Sequence, residues 1–267
     1  MTTGDPGIPI WARPEPGSRR PRFTREQIAS VALGIADREG FDAVTMRRVA
    51  SELGAGTMSL YHYVRSRDDL VALMDDALMA EALVPPGELP TGWRDALIAV
   101  ARRTRAALVG HPWALVALQS SQFGPSAMRH FEQSLAAVDD TGLAPAAKFE
   151  LLSLVDDYVF GNVLHASEAR VRMKVAGSNP EIVSAMIEFG LAQLRTGEFP
   201  HMSALLGDAD PRDRASAPGP AMDEKSLNDQ FERGLQAVLD GATSRMGMAS
   251  ADADTHALDH RSADPSP

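Results

Sequence analysis

One short segment of this chain, residues 57–63, is rich in side chains that both donate and accept hydrogen bonds. Leu60 and Val64 lie four residues apart, which predicts a helix that buries this pair and turns the polar groups outward. Such groups suit the base edges in the major groove of DNA, where each base pair presents a distinct pattern of donors and acceptors. The polar candidates are Thr57, Ser59, Tyr61, His62 and Tyr63.

Guanidinium groups flank this segment on both sides. Arg47 and Arg48 precede it, and Arg65 and Arg67 follow it. We expect Arg47 to reach a guanine edge and the other three to contact phosphates, which supply affinity but little sequence information. A plainer interpretation also fits, in which Arg47 and Arg48 form a solvated helix face and the tyrosines are packed aromatics.

Three short helices are predicted to position these groups. The first begins after the N-cap Thr24 and ends at Gly40, and the second follows the N-cap Thr45 and stops at Gly54. The third covers residues 57–64. Two short helices joined by three or four residues that include glycine form the helix-turn-helix pattern.

Three further residues complete the predicted DNA contacts. Gly56 has no side chain and permits a close approach to the backbone. Thr45 lies at the start of the second helix, and Arg22 belongs to the basic cluster that ends the N-terminal arm.

A fourth helix, capped by Ser66, is predicted to run to about Leu83, where a proline pair marks a domain boundary. No later segment shows convincing strand alternation, so the predicted fold class is all-α, with an N-terminal three-helix helix-turn-helix domain joined to a larger helical domain. Further candidate helices cover 91–109, 112–120, 124–141, 145–173, 180–196 and 223–240. The predicted organisation is a flexible basic arm over 1–21, a helix-turn-helix domain over 22–83, a helical domain over 91–240 and a disordered acidic tail over 241–267.

The charge is distributed unevenly along the chain. The 267 residues carry a net charge of −10, yet residues 19–67 contain nine arginines and five acids and are therefore net positive. A basic module on an acidic body predicts a polyanionic partner at one end. The chain has no cysteine, no long apolar run and no apolar segment near its start. We therefore expect a cytoplasmic protein without a membrane span, a disulfide or a thiolate metal site.

The residues 44–70, VTMRRVASELGAGTMSLYHYVRSRDDL, closely resemble the DNA-binding domain of the tetracycline-repressor (TetR) family, and the match extends over about 22–80. The resemblance implies a transcriptional repressor that binds a palindromic operator on double-stranded DNA as a homodimer and is released by a small-molecule effector. It also supports a base contact at Arg47. Tetracycline repressors carry a Glu where this chain has His165, so we expect neither a required metal nor another cofactor.

The helix predicted over 145–173 is apolar on nearly all sides, which indicates that both of its faces are buried. One face would pack on its own core and the other on a second subunit. The last helix has an apolar stripe that includes a small residue, and the resemblance implies a four-helix dimer interface built from these two helices. The predicted interface residues are Val155, Val159, Val163, Phe231, Gly234, Leu235 and Val238.

Polar residues in this apolar setting are candidates for binding the effector. Buried polar groups need partners, which could be a ligand, a residue of the partner subunit or a water molecule in the core. Large apolar side chains on the neighbouring helices could line a pocket for a hydrophobic compound. The candidates are Asp157, Asn162 and His165, together with Trp113, Phe123, Met128, Phe131, Tyr158, Met186 and Phe189.

Two other functions compete with this interpretation. An enzyme is disfavoured because the chain lacks a nucleophile elbow, a phosphate loop, a metal-spaced His/Glu cluster and a dinucleotide fingerprint. An activator, or a DNA-binding factor that needs no ligand, would carry the same helix-turn-helix.

Overall fold

The computed structural model describes residues 8–14, 23–117, 123–206 and 224–248. Within these ranges the regular secondary structure is helical and contains no strand, which confirms the predicted all-α fold. The α-helices are α1 Arg25–Glu39, α2 Met46–Glu52, α3 Thr57–Leu60, α4 Arg67–Ala82, α5 Trp93–Gly110, α6 Ala114–Ala117, α7 Pro125–Ala137, α8 Pro145–Ser178, α9 Pro180–Arg195, α10 Pro200–Leu206 and α11 Glu224–Met246. Short 3-10 turns cover Ile10–Ala12, Phe41–Ala43 and Asp139–Thr141.

Local capping fixes where the N-terminal helices begin. The hydroxyl of Thr24 accepts a hydrogen bond from the backbone N–H of Gln27 at 3.2 Å, and the side-chain oxygen of Gln27 accepts one from the backbone N–H of Thr24 at 3.0 Å, which forms a capping box. Thr45 and Ser66 cap α2 and α4 in the same way, each accepting from a backbone N–H three residues later at 3.1 Å. These three starts lie where the sequence predicts them.

The turn between α2 and α3 is set by Gly54. Its φ of 63° is left-handed, and such a conformation favours glycine. The backbone N–H groups of Ala55 and Gly54 donate to the carbonyls of Ala50 and Ser51, which is the Schellman arrangement that ends a helix. The regular helix α3 then ends at Leu60, and residues 61–63 form turns, so α3 is shorter than predicted.

The four helices α1 to α4, and the turn after α3, each contribute a buried apolar side chain to the core of the helix-turn-helix. Ile28, Val49, Leu60, Val64 and Leu70 are fully or almost fully buried. The side chains of Leu60 and Val64, four residues apart, therefore both face the core, as the sequence predicts. Helix α3 packs on the domain through this apolar side.

The N-terminal segment differs from the flexible arm predicted over 1–21. Residues 8–14 are packed on the helix-turn-helix, with Ile10 fully buried in its core. The guanidinium of Arg13 pairs with the carboxylate of Asp69 near the start of α4, and both side chains are about nine-tenths buried. The other residues of the predicted arm, and Arg22 directly after it, lie outside the described residues.

The described chain divides into two compact units. One contains the residues up to Val163 and those from Val238 onward, and the other contains Leu164–Ala237. In the first unit α4 packs against α1, α5 and α7, so it contacts both the helix-turn-helix and the helices that follow it. The carboxylate of Asp76 on α4 accepts from the backbone N–H and the hydroxyl of Ser126 at the start of α7. Helix α4 is therefore fixed on several sides.

The C-terminal end also differs from expectation. Helix α11 continues to Met246, and Ala242 is buried, although the sequence predicted a disordered tail from residue 241. In the part of the chain that the structure describes, no helix is both long and apolar enough to cross a membrane.

Candidate functional site

The polar groups predicted to read DNA lie on α3 and in the turn that follows it. Tyr61 and His62 are exposed, whereas Thr57 and Ser59 are half-buried. Tyr63 is also half-buried, and its ring packs edge-on against Phe23 with 6.2 Å between centroids. Its ring therefore supports the turn as a packed aromatic, while Tyr61 and His62 present polar groups to solvent.

Gly56, the N-cap of α3, has an ordinary extended backbone with a φ of −75°. A Cβ atom built there would meet no other atom of the described chain within 4 Å. Neither backbone conformation nor internal packing therefore requires glycine at this position. Glycine is also a favoured residue at a helix N-cap, and the open space beside Gly56 would admit a close approach by another molecule.

Arg47 and Arg48 are neighbours on α2 with different surroundings. Arg48 donates to Glu39 and Glu52, with the closest contact to each carboxylate at 2.7 Å. The hydrogen bonds to Glu39 and Glu52 raise the pKa of Arg48 and lower the pKa of both carboxyl groups. Arg47 is exposed and forms no ion pair within the described parts of the chain. Of these two arginines, Arg47 is therefore the one whose guanidinium donors are not occupied by a carboxylate.

The hydroxyl of Thr45 is occupied as the α2 cap, so its contribution is to orient the helix that carries Arg47. Arg65 has an exposed side chain, and its backbone N–H donates to the buried Asp69 carboxylate at 2.7 Å. Arg67, the first residue of α4, lies with its guanidinium carbon 4.6 Å from the centroid of the Phe41 ring.

Trp113 lies elsewhere than the predicted ligand pocket. Its indole N–H donates to Oδ1 of Asp37 at 2.8 Å, and its ring stacks on Phe41 at a centroid distance of 5.6 Å. Both partners lie in or next to α1. Trp113 is therefore part of the contact between the C-terminal helices and the helix-turn-helix, a contact that could not be predicted from the sequence.

His111, the C-cap of α5, joins the same contact. Its Nδ1 lies 2.8 Å from Asp37 and its Nε2 lies 3.1 Å from Glu81 on α4. Burial opposes protonation, but the hydrogen bonds to the two carboxylates outweigh it and raise the pKa of His111. This bridge ties α1, α4 and α5 together.

The predicted ligand residues differ in their burial and contacts. Phe123, Met128, Met186 and Phe189 are each at least 60% exposed, and Asp157 and His165 are also exposed. Tyr158 is half-buried. Phe131 packs on Phe149 at 5.5 Å, and the Asn162 oxygen accepts from Nε of Arg105 at 2.9 Å. Asn162 therefore has a partner within the chain, on α5.

A polar pair between α5 and α7 was not predicted from the sequence. The buried hydroxyl of Thr104 donates to the carbonyl of Val100 at 3.0 Å and lies 2.8 Å from Nε2 of His130. Because the hydroxyl has one hydrogen, His130 must donate at Nε2. Burial lowers the pKa of His130, which favours the neutral imidazole. The only available signal was a threonine within the apolar stripe of α5.

The predicted dimer residues lie mostly inside the chain's own fold. Val155, Val159 and Val163 on α8 are buried, as are Phe231 and Leu235 on α11, and Gly234 and Val238 are half-buried. The buried residues have almost no surface left for a second subunit. The outward side of α8 instead presents large apolar residues that are 40–60% exposed, namely Phe149, Leu154, Phe160, Leu164 and Val171.

The described residues contain no group of three or more His, Asp or Glu side chains arranged to hold a metal ion. The residues on and around α3 offer hydrogen-bond donors and acceptors, together with the guanidinium of Arg47, for recognition of another molecule.

Comparison with known proteins agrees with this arrangement. Residues 28–74 match the model of bacterial regulatory proteins, tetR family, and residues 85–246 match that of the tetracyclin repressor-like, C-terminal domain. The chain is 36% identical over 233 residues to the HTH-type transcriptional repressor DrrR1 of Streptomyces coeruleorubidus, which covers 86% of this chain and 80% of that protein. It is also 36% identical over 182 residues to an HTH-type transcriptional regulator of Saccharopolyspora erythraea, which covers 65% of this chain and 76% of that protein.

The fold is similar to that of ActR from Streptomyces coelicolor in complex with actinorhodin. The TM-score is 0.62 at 27% sequence identity, over 84% of this chain and 97% of ActR. These relatives are DNA-binding transcriptional regulators and not enzymes. Two adjoining family models and a relative that is similar over most of its length lead to one conclusion: the chain belongs to the TetR family of bacterial regulatory proteins.

Proposed function

We propose that this regulator is a repressor that binds a palindromic operator as a homodimer and leaves it when a small hydrophobic molecule binds the C-terminal domain. The observation that carries the DNA-binding part is the exposed surface of the helix-turn-helix that includes Arg47, Gly56, Tyr61 and His62. This surface has polar groups pointing outward, an open glycine and a guanidinium without a carboxylate partner. The repressor assignment is supported by the similarity to DrrR1.

Dimerisation is supported by two independent arguments. A recognition helix as short as α3 reads few bases, and two copies about one helical turn apart multiply the specificity. The outward side of α8 presents large apolar residues over several turns, interleaved with exposed acids such as Asp157, and packing against the same helix of a second copy would remove those apolar residues from water. We assign the dimer contact to this outward side rather than to the buried valines.

The effector proposal rests on the C-terminal helices. ActR, which has a similar fold, was solved with actinorhodin bound. In this chain, Thr104 and His130 place a neutral, hydrogen-bonded pair between α5 and α7, and Arg105 and Asn162 join α5 to α8. A few fixed polar groups among apolar side chains suit a hydrophobic compound that also makes directed hydrogen bonds.

Selection of operator sequences from random duplexes with the full-length chain tests the DNA-binding part. Arg47→Ala should reduce the binding free energy for the operator by about 1–3 kcal/mol and relax the base preference at one base pair. The matched control, Arg48→Ala, should leave every base preference unchanged because its charge is already paired. Equal losses on operator and random DNA for Arg47→Ala would remove its base-reading role.

The same selected operator tests symmetry and release. Two inverted half-sites are expected, and a single asymmetric site would contradict the dimer proposal. Hydrophobic compounds, with actinorhodin as the first probe, are then titrated into the complex. A compound that binds the chain without lowering operator affinity would contradict the repressor mechanism, because a ligand can shift an equilibrium only by its differential affinity for the two states.

A further inference from the structure

Arg67 has a different kind of partner from Arg48, the half-buried arginine of α2. Its guanidinium carbon lies 4.6 Å from the centroid of the Phe41 ring. Within the described residues, no carboxylate forms an ion pair with Arg67. A carboxylate partner neutralises a guanidinium and occupies its N–H donors. An aromatic face attracts the cation, and the N–H groups at the edge of the guanidinium stay available to donate hydrogen bonds.

The Phe41 ring is itself held by a residue outside the helix-turn-helix. The Trp113 indole stacks on it with 10° between the ring planes. Trp113 is fixed in turn by its hydrogen bond to Asp37 and by edge-on contact with His111 at 5.9 Å. His111 contacts Asp37 and Glu81. The orientation of Phe41 therefore depends on the connection between α5 and α6.

We infer that Phe41 and Trp113 are positioning residues for DNA binding, and that their stack holds the guanidinium of Arg67, with its charge intact, toward a DNA phosphate. The inference rests on the proposed DNA-binding function and adds a residue from the C-terminal domain to the DNA interface. Movement of the loop that carries Trp113 would change a phosphate contact directly. DNA affinity would then respond to the C-terminal domain even without a change in the spacing of two α3 helices.

The test measures operator affinity of the full-length chain over a range of salt concentrations. Neutralising one phosphate contact contributes about 0.9 to the slope of log affinity against log salt. Arg67→Gln should lower this slope by up to that amount and weaken binding to operator and random DNA alike. Trp113→Leu should reproduce part of the same slope change, with an affinity loss of about two- to fivefold, the range expected for an exposed cation–π contact.

Three controls separate positioning from general damage. Trp113→Phe keeps a stacking ring but loses the indole N–H and part of the ring surface, so its salt slope should lie closer to that of the unmodified chain than the slope of Trp113→Leu does. The double variant Trp113→Leu/Arg67→Gln should be no weaker than Arg67→Gln alone, since both changes remove one contact. Should Trp113→Leu fail to fold, Phe41→Leu removes the ring that Arg67 contacts and carries the same expectation.

An unchanged salt slope in a folded Trp113→Leu or Phe41→Leu variant would overturn the inference, as would additive losses in the double variant. Arg47→Ala is measured in parallel to distinguish this failure from failure of the proposed function. If Arg47→Ala alone alters base preference, only the positioning role is lost. If neither Arg47→Ala nor Arg67→Gln changes operator binding, the proposed DNA interface itself is wrong.

Discussion

Gly54 and Gly56 lie two residues apart, and the structure requires only one of them. Gly54 has a left-handed φ of 63° that completes the end of α2, whereas Gly56 has a φ of −75° with open space where a Cβ would lie. Gly54 therefore meets a requirement of the fold, and we propose that Gly56 meets a requirement of DNA binding.

Gly56→Ala should leave the fold intact and change its stability by less than about 1 kcal/mol, because the lower conformational entropy of the unfolded chain is offset by alanine being a poorer N-cap than glycine. It should weaken operator binding by about 1–3 kcal/mol, the usual cost of forcing an extra group into a packed contact. Thermal unfolding and operator titration measure the two effects. The control Gly54→Ala should lose about 1–2 kcal/mol of stability from the left-handed backbone. Unaltered operator affinity for Gly56→Ala would show that DNA does not approach this residue.

Two arginine–carboxylate pairs of the N-terminal elements differ in burial. Arg13 and Asp69 are about nine-tenths buried and join the N-terminal segment to α4, whereas Arg38 and Glu52 lie at the surface between α1 and α2. The oxygens of Asp69 also accept from the backbone of Arg65. This carboxylate therefore stabilises both the N-terminal segment and the turn between α3 and α4.

Arg13→Ala should destabilise the chain by up to about 3–5 kcal/mol, because the carboxylate of Asp69 loses its cation while it remains buried. Arg38→Ala should cost about 0–1 kcal/mol, as for other exposed pairs. Denaturant unfolding of both variants measures the difference. Equal and small effects would mean that residues 8–14 contribute little to the stability of the helix-turn-helix.

The His111 bridge between α1, α4 and α5 should make stability depend on pH. Its pKa in the folded chain is raised, so its stabilising effect is full below the unfolded value of about 6.5 and is lost as pH rises through the folded value. The difference in melting temperature between the unmodified chain and His111→Gln should therefore shrink above about pH 6.5. His130 acts in the opposite direction, because its pKa is lowered and its protonation below about pH 6.5 disfavours the folded state. A difference that stays constant from pH 6 to 9 would show that His111 does not titrate in this bridge.

Features within a few residues of one another could be predicted from the sequence, and distant contacts could not. The caps at Thr24, Thr45 and Ser66 depend on a backbone N–H three residues away, so a segment of four residues contains both partners of each hydrogen bond. Trp113 donates to Asp37, which lies 76 residues earlier in the chain, and no periodicity of the sequence indicates that pairing. Helix α8 is apolar on nearly all sides, which correctly indicated burial of one side but could not show which side faces the core.

Charge and symmetry act on the whole molecule. The region that carries α3 is basic within a chain of net charge −10, so the field favours approach of DNA at that end and opposes it elsewhere. A two-fold axis would present two such basic regions to one duplex. We propose the apolar residues along the outward side of α8 as the contact surface of that two-fold dimer.

Leu164→Glu tests this interface because Leu164 is 43% exposed in a single chain, so the fold should tolerate a polar side chain there. In the proposed dimer, the substitution would bury an unpaired carboxylate in each subunit, which costs far more than any single apolar contact returns. Light scattering should then give a mass near 28.6 kDa rather than twice that value, and operator affinity should fall sharply. Ala136→Glu, on the exposed side of α7, is the matched control and should keep the double mass. If Leu164→Glu kept both the double mass and full operator affinity, the subunits would have to meet on a different surface.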